Sequence, residues 1–292
     1  MQKKEKVMKI LFSIVASVSI LSVVLICVFL LARGIPAITK IGPFKFIFGK
    51  NWNPENNEFG IFPMILGSIY VTIGAIIVGV PAGLLCAIFM SKFCSKKLYK
   101  ILNPMIQLLA GIPSIVYGFF GLMVLVPLNS KIFGGNGMGI ITASTLLGIM
   151  ILPTIISVAQ SSIEAVPNSY YEGALALGAT HEKSVIKVVV KSAGSGITAG
   201  VILGVGRAIG ETMALVMVAG NASIIPNSIT SMVRTLTANI VLEMAYATDL
   251  HEGALIATGL VLFVFILIID ASFLLIKRKV KWKKIINVFF RL

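Results

Sequence analysis

The sequence predicts an all-α polytopic membrane protein with six transmembrane helices and both termini cytoplasmic. Three observations predict it. Of 292 residues, 57% are hydrophobic and 12% charged, about half the charged share of an ordinary soluble domain. Uncharged apolar runs recur along the whole chain, and with about 20 residues to a crossing six spans fit. Lysine and arginine collect in alternate loops, the asymmetry that sets orientation in a bilayer.

The runs, in order, are Ile10–Ala32, Phe59–Ser91, Ile101–Ser130, Ile132–Ile163, Ser192–Gly206 (resuming around Arg207 and Glu211) and Gly253–Ile269, the last followed by Asp270 and Ala271–Ile276. The first is too long for a signal-peptide core, and no small-x-small cleavage site follows it, so it reads as a retained helix. Prolines 63, 81, 104, 113, 127 and 153 fall in or at the ends of spans two to four, where neighbouring helices re-satisfy the freed carbonyls. One side carries Lys3, Lys4, Lys6 and Lys9, then Lys92, Lys96, Lys97 and Lys100, then Lys183, Lys187 and Lys191, and finally Lys277, Arg278, Lys279, Lys281, Lys283, Lys284 and Arg291. The other carries Arg33, Lys40, Lys45, Lys50, Lys131 and Arg234. The richer side is cytoplasmic, and the net charge of +14 is topology rather than a nucleic-acid footprint. Three cysteines and two histidines, His181 and His251, offer no disulfide framework and no metal-ligand spacing. Both histidines read as solvated loop residues, and Asp270 as an interfacial one. The expected organisation is residues 1–58 as N-terminal tail, first helix and external segment, 59–276 as the transmembrane domain, and 277–292 as a basic cytoplasmic tail.

The stretch Glu164 to Lys191 is the one long cytoplasmic loop, and it reads as two short helices. Ser169-Tyr170-Tyr171-Glu172 matches a capping box. Gly178 suits a helix C-terminus, and Thr180 a cap for the next helix. Its charges balance, Glu164, Glu172 and Glu182 against Lys183, Lys187 and Lys191, whereas every other cytoplasmic segment is strongly basic. A neutral, part-apolar helical loop fits a docking element; a partnerless interfacial helix is the plainer alternative.

Here the chain resembles the permeases of bacterial binding-protein-dependent ABC importers, whose "EAA" loop is matched by Glu172-Gly173-Ala174, three residues and Gly178. Gly173 stands where that pattern has Ala, and Val188-Val189-Val190-Lys191 where it ends in I-x-L-P. Asn51-Trp52-Asn53-Pro54, Phe59-Gly60-Ile61, Pro113–Gly118, Ala176-Leu177-Gly178-Ala179-Thr180 and Gly206–Ala214 narrow the resemblance to the phosphate-specific members, of the PstC rather than the PstA type. The resemblance implies the type I importer permease fold, transport of inorganic phosphate, and three partners. These are a second phosphate permease of the PstA type, an ATP-binding subunit dimer docked on the loop through Glu172, Gly173, Ala174, Leu177, Gly178, Ala179 and Thr180, and an extracellular phosphate-binding protein. It implies no cofactor. A permease for another oxyanion, or an ion-coupled secondary anion transporter, is the competing reading; the docking loop and the lack of internal repeats speak against the latter. The chain has no G-x-x-x-x-G-K-[ST] phosphate loop, so it is not expected to hydrolyse ATP.

Arg207 and Glu211 are the charges in the middle of span five. With Ala193 to Gly220 as one regular helix, Gly196, Gly200, Gly204, Arg207, Glu211 and Ala214 fall within about 40° of one direction. Glycines four apart allow close helix approach, so that face should meet protein, not lipid. A central arginine costs roughly 2.5–3.5 kcal/mol to insert. Two readings compete: a buried intrahelical Arg207–Glu211 pair, or an arginine facing the translocation path, its planar fork matched to phosphate oxygens. Glu211 would then hold Arg207 in place, or accept a hydrogen bond from a protonated phosphate oxygen that sulfate lacks. Arg234, further out, reads as an outer attractive charge, a contact for the solute-delivering protein, or a solvated loop arginine.

Overall fold

The computed structural model describes residues 2–279, most of them helical. Lys281, Lys283, Lys284 and Arg291 of the expected basic tail lie outside the described residues. Five helices are long and apolar enough to cross a membrane: Glu5–Ile41, Phe62–Phe93, Ser114–Phe133, Ile140–Glu164 and Asp249–Ser272. The pair His181–Ser192 and Gly194–Gly210, bent by 69°, makes a sixth when counted as one span. The expected six spans are therefore present, with two changes of boundary that matter.

The first concerns span three. Residues 101–130 are not one helix. An amphipathic helix α4 (Lys96–Gly111), capped by the Ser95 hydroxyl accepting from Leu98 N, stops where Ile112 turns extended ahead of Pro113. The residue before a proline is driven out of the α region, so the chain re-enters as α5 (Ser114–Phe120). It then continues through a π turn, Gly121–Leu125, into α6 (Val126–Phe133). The crossing is thus Ser114–Phe133, and α4, none of whose residues is buried, leads into it. The second change, in span five, is taken up with the site.

At the chain's start α1 (Gln2–Ile41) packs along α14 (Asp249–Lys279), Gly34 against Ala257 and Leu260, and shows most of its apolar surface outward. Between α1 and α3 (Phe62–Ile88) lies a small hairpin. It comprises α2 (Pro43–Phe48) and the antiparallel strands β1 (Trp52–Asn53) and β2 (Glu58–Phe59), with Trp52 opposite Phe59. The centre of the bundle is α7 (Ile140–Glu164), held between α3 and α11 (Gly194–Gly210). Small residues make both contacts possible. A Cβ at Gly79 would lie 2.7 Å from Ile151, and one at Gly204 would lie 2.8 Å from Ile155. Leu146, Leu147, Met150, Ile151 and Ile155 of α7 are at most 1% exposed, the burial expected of a helix wrapped on both sides rather than facing lipid.

Candidate functional site

Span five is built from pieces. After α8 (Asn168–Ala176) and α9 (His181–Ser184), a π turn Val185–Val189 and a short α10 (Val190–Ser192) lead to α11. The row Gly196, Gly200, Gly204 faces α7 as expected: a Cβ at each would stand 2.2 Å from Ser162 Oγ, 3.1 Å from Val158 Cβ and 2.8 Å from Ile155 Cγ1. The glycine face is a protein contact.

The regular helix expected from Ala193 to Gly220 is interrupted. α11 ends at Gly210, Glu211 is extended (φ −68°, ψ 135°), and α12 (Met213–Val218) begins after Thr212. Two polar contacts hold the break. The Glu211 carbonyl accepts from Thr237 Oγ1 at 2.9 Å, and the Glu211 carboxylate accepts from Ala214 N at 3.2 Å, capping α12. Arg207 and Glu211 consequently do not share one helical face with Ala214, which packs against Gly118 of α5. Nor do they pair: among the described residues no carboxylate lies within 4.0 Å of Arg207. The intrahelical ion pair is thereby overturned, because the helix that would have aligned the two residues ends between them.

Arg207 is half-buried in the last turn of α11, with Nη1 3.4 Å from Thr154 Oγ1 of α7. Its depth follows from that neighbour. Thr154 is 14 residues from the start of α7 and 10 from its end, about 21 Å and 15 Å by helical rise. Arg207 therefore sits at mid-depth although it ends its own helix. At 17 residues α11 is about 25 Å long, short of the roughly 30 Å hydrocarbon core, and α12 completes the crossing. Broken helices of this kind are stable at membrane depth only where protein or a cavity meets the freed backbone groups. One long contact to a threonine leaves most of a guanidinium's five N–H donors free. Thr154 went unnoticed in the sequence because hydroxyls within apolar runs are common and carry no spacing signal.

Arg234 is a different object. It is no solvated loop arginine: Nη1 bonds Glu243 Oε1 at 2.6 Å and Asn239 Oδ1 at 3.0 Å, and Nε bonds the Asn221 carbonyl at 2.9 Å. Glu243, near the end of α13 (Leu236–Glu243), is 6% exposed and gathers two more donors. Trp52 Nε1 lies 2.8 Å from its Oε2 and His251 Nε2 lies 2.9 Å from the same oxygen. His251, also expected in solvent, is packed among Trp52, Phe59 and Tyr246, with centroids 5.9–6.1 Å away. The cluster ties the hairpin, the α12–α13 connection and the start of α14 together beside a cleft of about 600 Å³. Glu243 was legible only as a lone acid nine residues after a lone arginine.

At the opposite end lies the 164–191 loop. The expected capping box does not form: α8 starts at Asn168, behind Pro167, with no side-chain cap, so Ser169 is already inside the helix. The C-terminus does close as expected. Gly178 adopts φ +82°, and the paired bonds Gly178 N to Leu175 O and Ala179 N to Ala174 O make a Schellman closure. Thr180 Oγ1 accepts from Lys183 N at 3.4 Å and caps α9. Around the end of α8 the loop turns apolar residues outward: Leu177 is 91% exposed, with Tyr170 and Leu175 beside it, and Glu172, Gly173 and Gly178 are exposed too. His181 is not solvated either, being wedged between Phe93 and Tyr171.

A bundle crossed six times, with a broken helix bearing an arginine at mid-depth and an exposed helical loop at one end, is a membrane permease. The chain belongs to the family of binding-protein-dependent transport system inner membrane components, whose model matches residues 79–282. It is 38% identical over 274 residues to a probable ABC transporter permease protein, YqgH, of Bacillus subtilis, covering 91% of this chain and 89% of that one. It is also 35% identical over 275 residues to the phosphate transport system permease protein PstC of Mesorhizobium japonicum, covering 86% and 84%. Among solved structures, an inward-facing methionine ABC transporter, MetNI, shares the fold. The TM-score is 0.54 at 18% identity, over 75% of this chain and 93% of that one. The expected importer permease fold is thus established.

Proposed function

We propose that this chain is the transmembrane permease subunit of an ATP-driven importer of inorganic phosphate in a bacterial plasma membrane, with both termini cytoplasmic. The observation that carries the reading is Arg207: a guanidinium at mid-depth, next to a helix break, with no carboxylate within 4.0 Å among the described residues. A permanent charge left without a partner in a membrane is costly, and a phosphate anion passing through would offset that cost. The names of the Mesorhizobium and Pasteurella relatives, both phosphate transport system permease PstC, support phosphate over other oxyanions and over an ion-coupled carrier. The working assembly would add a second permease of the PstA type, two ATP-binding subunits and an extracellular phosphate-binding protein. ATP hydrolysis belongs to the partner. Closure of the ATPase dimer would be received by the 164–191 loop through Glu172, Gly173, Ala174, Leu177, Gly178, Ala179 and Thr180, and the spans would reorient around Arg207.

Leu177→Asp puts a charge on the most exposed apolar residue of that loop and touches nothing inside the bundle. The expected result is loss of the ATPase subunit on co-purification while the chain still inserts; retention of the ATPase would remove the docking assignment.

Glu211 would act in specificity. Because its carboxylate caps α12 through a carbonyl-type oxygen, Glu211→Gln preserves the cap and removes only the charge. If the charge discriminates against a fully ionised oxyanion, the variant should take up sulfate relative to phosphate about tenfold more readily than wild type, a change of about 1.4 kcal/mol. An unchanged sulfate-to-phosphate ratio would leave Glu211 as a cap alone.

A further inference from the structure

We propose that His181 is the pivot that passes movement of the docking helix α8 into the bundle, at the end of α3; this rests on the reading of the 164–191 loop as the ATPase dock. The outer side of α8 is bare. A Cβ added at Gly173 or Gly178 would meet no heavy atom within 4 Å, and Leu177 stands almost fully exposed. The inner side presents Tyr171, whose hydroxyl is 2.8 Å from His181 Nδ1, with the two rings near perpendicular at 5.7 Å. The same imidazole meets Phe93 edge to face at 4.8 Å and 70°. Phe93 is the last residue of the π turn Phe89–Phe93 that ends the second span. His181 thus lies between an element free to be grasped by a partner and a helix that runs through the membrane.

What surrounds it explains why the load would pass there. Immediately beyond His181 the chain dives into the bundle. Ser184, Val185, Val189 and Val190 are at most 5% exposed, and the valines share a core with Ala87, Ile88 and Met90 of the second span and Ile156, Ala159 and Ile163 of α7. Aliphatic contacts of this kind have no preferred direction and can slide. An oriented hydrogen bond and an edge-to-face ring pair are directional, so they transmit a rotation of α8 instead of dissipating it. Imidazole supplies both in one side chain, a ring for Phe93 and a ring nitrogen for Tyr171. Both strands of the contact also carry a π turn, Phe89–Phe93 and Val185–Val189. Each holds one residue more than an α turn, a register that a small displacement can shift, and such turns recur at functional positions.

The test uses the complete transporter reconstituted in proteoliposomes, with phosphate uptake per ATP hydrolysed as the readout and co-purification of the ATPase as the control. His181→Ala should lower the uptake-to-hydrolysis ratio about tenfold with the ATPase still bound. Tyr171→Phe, which removes one hydrogen bond and no ring, should lower it about threefold, the worth of one hydrogen bond. The double variant should be no worse than His181→Ala, because both act on one route. A ratio within twofold of wild type in Tyr171→Phe overturns the proposal, even where His181→Ala fails to assemble. So does a double variant whose loss is the product of the two single losses. Failure of the docking reading would show separately, as an ATPase that stays bound to Leu177→Asp.

Discussion

Arg207→Ala is expected to reduce phosphate uptake about a hundredfold while leaving the folded protein at least as stable as wild type. The two halves of that expectation come from one geometry. A unit charge about 4 Å from an anion, at an effective dielectric near 20, is worth about 4 kcal/mol, and part of this is lost to the cost of desolvating both ions. Some 2.7 kcal/mol left over corresponds to a hundredfold in rate or affinity. Among the described residues Arg207 has one side-chain hydrogen bond, to Thr154 Oγ1 at 3.4 Å. Removing the arginine therefore orphans no carboxylate, and it relieves the penalty of holding a cation at mid-depth. A structural arginine would behave oppositely, losing stability first. Arg207→Lys keeps the charge and loses the planar fork, and should fall between, at about a tenfold reduction. Transport of radiolabelled phosphate into vesicles, with thermal unfolding in detergent on the same preparations, reads both quantities. Uptake within twofold of wild type for Arg207→Ala would remove Arg207 from the path.

Glu243→Ala should do the reverse, destabilising the fold by about 3–5 kcal/mol, the usual cost of leaving a buried charge without its partner. Arg234 and Glu243 are 17% and 8% exposed at the side chain, so solvent does little to rescue the guanidinium once the carboxylate is gone. The same truncation strips an acceptor from Trp52 Nε1 and His251 Nε2, and so releases the hairpin and the start of α14 together. Trp52→Phe removes a single bond to a charged group and should cost about 1.5–3 kcal/mol. Thermal unfolding in detergent checks both; a midpoint for Glu243→Ala within 1 °C of wild type would show that the cluster is not a clasp.

Much of this was visible in the residues alone. Hydropathy and lysine distribution are local properties of the chain, and they located six crossings and the helical loop at 164–191. The glycine spacing on Gly196, Gly200 and Gly204 correctly announced a face pressed against another helix, because only close approach makes such a row useful. Thr180 and Gly178 did what their side chains favour, a hydroxyl cap and a left-handed closure. Ser169 did not, since the helix starts two residues earlier, behind Pro167, and leaves the serine inside it.

The sequence by itself therefore determined which segments are apolar enough to enter the membrane, that residues 164–191 form an exposed helical loop, and that one arginine stands within the fifth apolar stretch. Only the tertiary structure decided which groups Arg207, Glu211 and Arg234 meet. The helix that would have paired the first two stops at Gly210. The polar groups that hold the break include Thr237, whose hydroxyl reaches the Glu211 carbonyl from 26 residues further along. Arg234 is bound by Glu243, Asn239 and Asn221 through a fold that also brings in Trp52, 191 residues before Glu243. Insertion depends on the summed hydrophobicity of about 20 consecutive residues, which the chain displays in order. The partner of a buried charge depends on which distant segments the packed bundle brings within about 3 Å, and no local pattern records that.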